Sequence, residues 1–328
     1  MTTTLVLGAS GFIGGHVAMA ALEQGWEVRG LRRRPEATGH LGKAPIAWIQ
    51  GDLDEPASLV SAFEEVEIVF HVAGYYPRTS RRVAQQVARA VNQTRAVLKC
   101  ARDGGVKRFV YVSSLSTIGR PPPNETRLPD ERDHYLPGSL ARSAYYECKY
   151  AMESEVLRWA AQGSPALVVN PTAVFGPGDV HRTLGGVLLA IARGWGVASL
   201  PAVINAVDVR DVAGATVRAA DAGRIGERTI LGGHNLTIRE FMTLVARLTG
   251  VKPPRFEIPP WALDLALFTG RNVPWLGFLD NHLAAIRHWQ GYNCAKAFGE
   301  LGLQPRPLES TIRDALAWYR EGDRVDRN

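Results

Sequence analysis

The chain has 328 residues, 46% of them apolar, enough to bury a sizeable core in one large or two modest domains. Its net charge of +6 is small for this length and its basic residues are scattered, which speaks against a nucleic-acid partner. Cys100, Cys148 and Cys294 have no short spacing, so neither a disulfide framework nor a metal site is expected, and no apolar run reaches the length of a membrane span.

The first element is the stretch "LVLGASGFIGGHV". Leu5 to Leu7 read as a buried strand that begins too early to leave room for a signal peptide, and a cytoplasmic protein is expected. Val17 to Leu22 read as an alanine-rich helix. A glycine turn between a strand and a helix brings helix-terminal N–H groups and the helix dipole to one point, where a pyrophosphate can be held. The spacing Gly8-x-x-Gly11-x-x-Gly14 departs from the familiar G-x-G-x-x-G, so by itself it describes a turn without a ligand equally well.

Further strand-like runs follow at Glu27–Leu31, Ala47–Gln50, Ile68–Val72, Phe109–Val112 and Leu167–Asn170, with helical patterns in most gaps. The alternation predicts an α/β fold, a doubly wound, Rossmann-type parallel sheet covered on both faces. Val83, Val87, Val91, Thr94, Leu98 and Ala101 recur at helical spacing before Gly104, which marks a long helix from about Arg81 to Ala101. After Asn170 the texture turns to shorter elements rich in Pro and Gly, which marks the start of a second, smaller region. One helix there is well marked: Thr237-x-x-Glu240 has the spacing of a capping box and Gly250 that of a stop. The Pro-rich "GRPPPNETRLPDERDHYLPG" is a long loop expected to border the site.

In "SAYYECKYAMESEV", Tyr145 and Lys149 stand four apart, on one face of a helix. A phenol is a poor acid at neutral pH, but an adjacent ammonium stabilises the phenolate, so the pair is suited to moving a proton. Earlier, "VYVSSLSTIG" puts the hydroxyls of Ser113 and Ser114 at a strand's carboxyl end, where ligands gather in open α/β sheets.

Together these segments resemble the extended short-chain dehydrogenase/reductases over nearly the whole chain: "GASGFIGG", "GDL", "HVAG", Asn92 in the long helix, "SSLSTIG", Tyr145-x-x-x-Lys149, "NPTAVFGPGD" and the closing "AKAFGELGLQPRPLESTIRDALAWY". The resemblance implies that Ser114 is the catalytic hydroxyl, Tyr145 the acid/base, and Lys149 the group that tunes Tyr145 and holds the nicotinamide ribose. Asn92 is the fourth catalytic candidate, although Arg95 and Ala96 replace the small residues that usually follow it. Gly8, Ser10, Gly11, Phe12, Ile13 and Gly14 would hold the pyrophosphate. Asp52 and Leu53 would flank the adenine, and Ala73 with Pro171 to Val174 would lie near the nicotinamide. The resemblance also implies a dinucleotide-binding domain of residues 1–170, to which about 205–232 return, and a smaller mixed α/β substrate domain of 171–204 and 233–328.

At the end of the second strand a NAD-binding member carries an acidic residue for the ribose, whereas this chain has Arg32 and Arg33, donors suited to a 2′-phosphate. The implied cofactor is NADP, with NAD the alternative. The implied reaction is reduction of a ketone or aldehyde, as in the dihydroflavonol-reductase-like branch. The alternative is epimerisation of a nucleotide sugar, as in the hopanoid-associated branch. A dehydratase would carry an Asp-Glu pair where Leu115 and Ser116 stand, and a non-catalytic dinucleotide sensor would lose the Tyr or the Lys. "VDVRD", Val207 to Asp211, departs from the family pattern at Asp208 and Arg210. The apolar segment from Trp261 through Phe268 to Phe278 reads as core or as a lid over a lipidic or aromatic substrate. The family's usual four-helix contact implies a homodimer through the long helix, with Ala84, Ala88 and Ala96 on its outer face, and the Tyr145 helix.

Overall fold

The computed structural model describes residues 2–77, 79–139, 143–259, 261–262 and 289–325. The apolar runs form parallel strands β1 (Thr3–Leu7), β2 (Glu27–Arg32), β3 (Ala47–Gln50), β4 (Ile68–His71), β5 (Arg108–Val112) and β6 (Ala166–Pro171). The later strand β10 (Arg228–Leu231) completes a seven-stranded sheet in the order β10-β6-β5-β4-β1-β2-β3.

Alternation along the strands sorts the core onto two faces. Val6, Phe70, Val110 and Val169 point to one side, against α1 (Phe12–Glu23) and α5 (Val209–Ala222). Leu5, Val69, Phe109 and Val168 point to the other, against α2 (Val83–Asp103) and α3 (Ala144–Ala161). The strand order turns back between β1 and β4, so the carboxyl ends of these two strands open the crevice where open α/β sheets take ligands.

Helix α1 starts five residues earlier than the sequence pattern predicts, and Gly14 and Gly15 lie inside it. They are glycines because the first turn is pressed against its surroundings: a Cβ at Gly14 would sit 2.1 Å from the Gly8 carbonyl oxygen. The loop after β2 folds back over the same turn, with the His40 ring 4.5 Å from that of His16.

After β6 the chain builds a second sheet of β7 (Ala173–Phe175), β9 (Val203–Asp208) and β11 (His234–Thr237) in the order β11-β9-β7. Within 205–232, the residues up to Asp208 belong to this sheet, while α5 and β10 return to the large one. Around it α4 (Thr183–Ala192), α6 (Ile238–Thr249) and the terminal helix α8 (Leu308–Val325) enclose a separate apolar cluster that includes Phe175, Leu188, Phe241, Val245, Ile312 and Leu316. Helix α6 has the expected capping box between Thr237 and Glu240, and Gly250 ends it at φ +74°. A two-stranded ribbon, β8 (Ala198–Ser199) with β12 (Phe256–Glu257), and a short helix α7 (Ala295–Glu300) complete the described elements. Among the described residues no helix is long and apolar enough to cross a membrane. Most of the apolar segment beyond Trp261 lies outside the described residues.

Candidate active site

The glycine turn is built by close backbone approach. Gly8 stands at φ +95°, where a side chain is strained, and a Cβ there would lie 2.8 Å from the Ala73 amide nitrogen. Its carbonyl accepts from the Gly11 N–H at 2.9 Å, which closes the turn. The first N–H groups of α1, on Phe12, Ile13 and Gly14, have no acceptor within the helix and converge with its positive dipole end. Ser10 lies on this turn. Ala73, from the loop after β4, forms its opposite wall.

At the end of β2, Arg32 holds its guanidinium 5.1 Å from the Trp48 ring centroid, and Arg33 is exposed beside it. Asp52 and Leu53 follow β3 on the same edge; the Asp52 N–H donates to Ser58 Oγ at 2.9 Å. Pro171 ends β6 and Val174 is buried in β7.

Tyr145, Lys149 and Glu153 form one stripe along α3 at i, i+4 and i+8. The Tyr145 hydroxyl is 3.0 Å from Ser114 Oγ, so the strand end and the helix meet through these two groups. Ser114 also caps the short turn after β5, accepting from the Ser116 N–H at 3.2 Å. A Cβ placed on Gly74 would be 3.7 Å from Lys149 Nζ, which puts the ammonium at the end of β4. The Tyr76 ring, 67% exposed, lies 5.1 Å from the Tyr145 ring and forms one wall of the opening. The Pro-rich loop borders the other side, where Tyr135 donates to Glu147 at 2.8 Å and packs on Tyr146.

Burial pushes the Tyr145 phenol above its usual range, and its hydrogen bond to Ser114 opposes this. The lowering expected from Lys149 does not offset that burial. Burial also takes Lys149 down to about 8, against the pull of the Glu153 carboxylate. His71, buried beneath them beside Lys149, is held neutral, with a pKa of about 3.

Asn92 is not part of this cluster. The phase of α2 turns Ala90, Gln93, Thr94, Val97 and Leu98 inward and leaves Asn92 exposed. The buried amide of that region is Gln93, which donates to Asp54 at 2.7 Å. The departures in "VDVRD" are a brace: Asp208 is buried, caps α5, and accepts from Arg210 and from Thr311 of α8, while Arg210 also reaches Asp314 at 2.7 Å. Sequence reasoning passed over Tyr76, Thr117, Asn170, Glu153 and Arg228; only Glu153 carried a local signal, its four-residue step from Lys149.

The model of the NAD dependent epimerase/dehydratase family matches residues 4–232. The chain belongs to this family. It is 30% identical to "Putative dihydroflavonol 4-reductase" of Synechocystis sp., over 96% of this chain and 93% of that one. It is likewise 30% identical to sterol demethylase protein B of Methylococcus capsulatus, over 97% and 98% of the two chains. The solved nucleoside-diphosphate-sugar epimerase PA4631 of Pseudomonas aeruginosa superposes with a TM-score of 0.82 at 25% identity, covering 98% of each chain. The protein is therefore an NAD(P)-dependent oxidoreductase of the extended short-chain dehydrogenase/reductase type.

Proposed function

We propose that this enzyme is an NADP(H)-dependent reductase of a ketone or aldehyde on a bulky apolar molecule. The observation that carries the reading is the Tyr145 phenol, raised above its usual range by burial, hydrogen-bonded to Ser114 and beside an open aromatic wall at Tyr76. A protonated phenol is the form that donates in reduction. The glycine cradle fits a dinucleotide, because the space at Gly8 and Gly14 is closed to side chains while helix N–H groups face outward. When bound, the nicotinamide supplies the hydride. Tyr145 gives its proton to the carbonyl oxygen, Ser114 donates a hydrogen bond to the same oxygen, and Lys149 holds positive charge behind the phenol as its proton leaves. Arg32, stacked on Trp48, and Arg33 supply the planar donors for a 2′-phosphate, which favours NADP(H).

The apolar substrate class is supported by the exposed ring of Tyr76 and by the name of the sterol-demethylase relative. The likeness to a nucleoside-diphosphate-sugar epimerase supports the second reading, in which the same Tyr145 deprotonates an alcohol and no cofactor is consumed. Residues 171–204 and the chain beyond 233 supply the substrate side. The protein, with three free thiols, is assigned to the reducing cytoplasm.

Incubating the enzyme with NADPH and a set of steroid and aromatic ketones, and separately with nucleotide sugars, tests the assignment. NADPH consumption with the ketones alone is expected; epimerised sugar without cofactor consumption would overturn it. A homodimer through α2 and α3 is supported by the exposed Ala84 and Ala88 on α2. Ala88→Glu should halve the mass measured by light scattering, and a wild-type mass already that of one chain would refute the dimer.

A further inference from the structure

Glu153 lies one turn beyond Lys149 and two beyond Tyr145, and it is 3% exposed. A carboxylate so far from water keeps its charge only when it is paired and its oxygens are hydrogen-bonded. Arg228 supplies the pairing charge at one oxygen, and two donors reach the other. Arg228 of β10, itself 5% exposed, places Nε 2.9 Å from Glu153 Oε1. Thr117 Oγ1 and Asn170 Nδ2 each donate to Oε2 at 2.7 Å.

These donors connect directly to the candidate active site. With its one hydroxyl proton on Glu153, Thr117 accepts from Asn170 at 2.9 Å, and the Asn170 amide also reaches the Ser114 carbonyl oxygen at 3.3 Å. Arg228 donates to the Thr117 carbonyl at 2.9 Å. The backbone that carries Ser114 is thereby fastened to the helix that carries Tyr145, and one side chain of α3 does the fastening.

We propose that Glu153 is a positioning residue for the reaction: it sets the Ser114 strand end against the Tyr145 hydroxyl and, one helical turn from Lys149, favours the ammonium form of that side chain. The inference rests on the reading of Tyr145 and Lys149 as the acid/base pair. Facing Lys149 are Glu153 and Cys148 on α3 and His71 on β4; facing Glu153 are Arg228, His134 and Tyr111. Burial keeps both histidines, the thiol and the Tyr111 phenol uncharged near neutral pH. Glu153 is thus the anion set against the Lys149 ammonium.

Glu153→Gln keeps the shape and removes the charge. Its first readout needs no substrate: the pH titration of Lys149, followed by NMR through isotope-labelled methyl groups on the lysines and assigned with Lys149→Arg. Loss of a nearby anion disfavours the ammonium, so the midpoint should fall by about one pH unit. The second readout is NADPH-dependent ketone reduction, whose alkaline limb should move down by about the same amount, with kcat falling about tenfold and KM little changed.

Because the single variant leaves Arg228 buried without its partner, the double variant Glu153→Gln with Arg228→Met removes both charges at similar volume and should fold. It should keep the lowered Lys149 midpoint. A purely structural staple would instead give a folded double variant with wild-type midpoint and wild-type limb, and that result overturns the proposal. Undiminished turnover in Tyr145→Phe would overturn the acid/base reading itself, while the Lys149 titration would still report on Glu153.

Discussion

The glycine turn and the Tyr145 face of α3 serve the same edge of one sheet and are made of different material. The turn is backbone: Gly8, Gly11 and Gly14 are there because a Cβ at each would meet a main-chain atom, at 2.8, 3.2 and 2.1 Å respectively. The α3 face is side chain: Tyr145, Lys149 and Glu153 reach three separate partners, Ser114, the β4 end and Arg228. The comparison teaches that a site for a constant ligand can be written in shape alone. A site for chemistry needs buried charge and therefore a second layer of groups to hold it.

The two halves should break in different ways. The largest effect is expected at Tyr145. Tyr145→Phe removes the transferable proton and should lower kcat about a thousandfold while leaving NADPH affinity within about twofold. Steady-state kinetics paired with a fluorescence titration checks both.

Gly14→Ala attacks the turn and should do the reverse. Its methyl would overlap the Gly8 carbonyl, so the fold should lose about 1–3 kcal/mol and NADPH should bind at least tenfold more weakly. Denaturant melts with and without cofactor provide the measurement.

Lys149 sharpens the comparison through pH. Its folded pKa of about 8 lies below the ordinary value, so between about 8 and the usual lysine range the unfolded chain binds the extra proton, and this group's contribution to stability rises with pH across that window. Below about 8 the charged side chain costs the fold. Lys149→Met should therefore raise stability at neutral pH by about 1–3 kcal/mol and lower kcat about a hundredfold. Melting curves at neutral and alkaline pH should converge between variant and wild type as the pH rises.

The smallest effect is expected at the outer end of the cradle. Removing the charges of Arg32 and Arg33 should weaken NADPH about fivefold to tenfold and leave NADH nearly unchanged. Equal weakening of both would assign the pair to a solvated surface.

Much of the backbone half was readable from the sequence. Six of the strands of the large sheet, the turn and the capped helix α6 follow from local pattern, because burial on both faces and the need for glycine leave marks at fixed spacing. The start of α1 is hidden in the sequence because Gly14 and Gly15 look like turn residues; they are glycines inside a helix because Gly8 and His40 leave no room for a Cβ. Tyr145 and Lys149 were legible at helical spacing, but Asn92 was assigned without the phase of α2, which turns it outward. Glu153 shows in the sequence only as a four-residue step from Lys149; its role is not legible there, since its partners lie on β6, β10 and the turn after β5 and meet it only in the folded sheet. Asp208 and Arg210 likewise make sense only once α8 is beside them.

Counting reducing equivalents separates net reduction, with Tyr145 as the proton donor, from redox-neutral epimerisation. With deuterium at the transferable position of NADPH and a steroid or aromatic ketone as substrate, one labelled alcohol should form for each NADPH consumed, and Tyr145→Phe should stop both together. Turnover of a nucleotide sugar with no net NADPH consumption and the cofactor retained throughout would contradict net reduction.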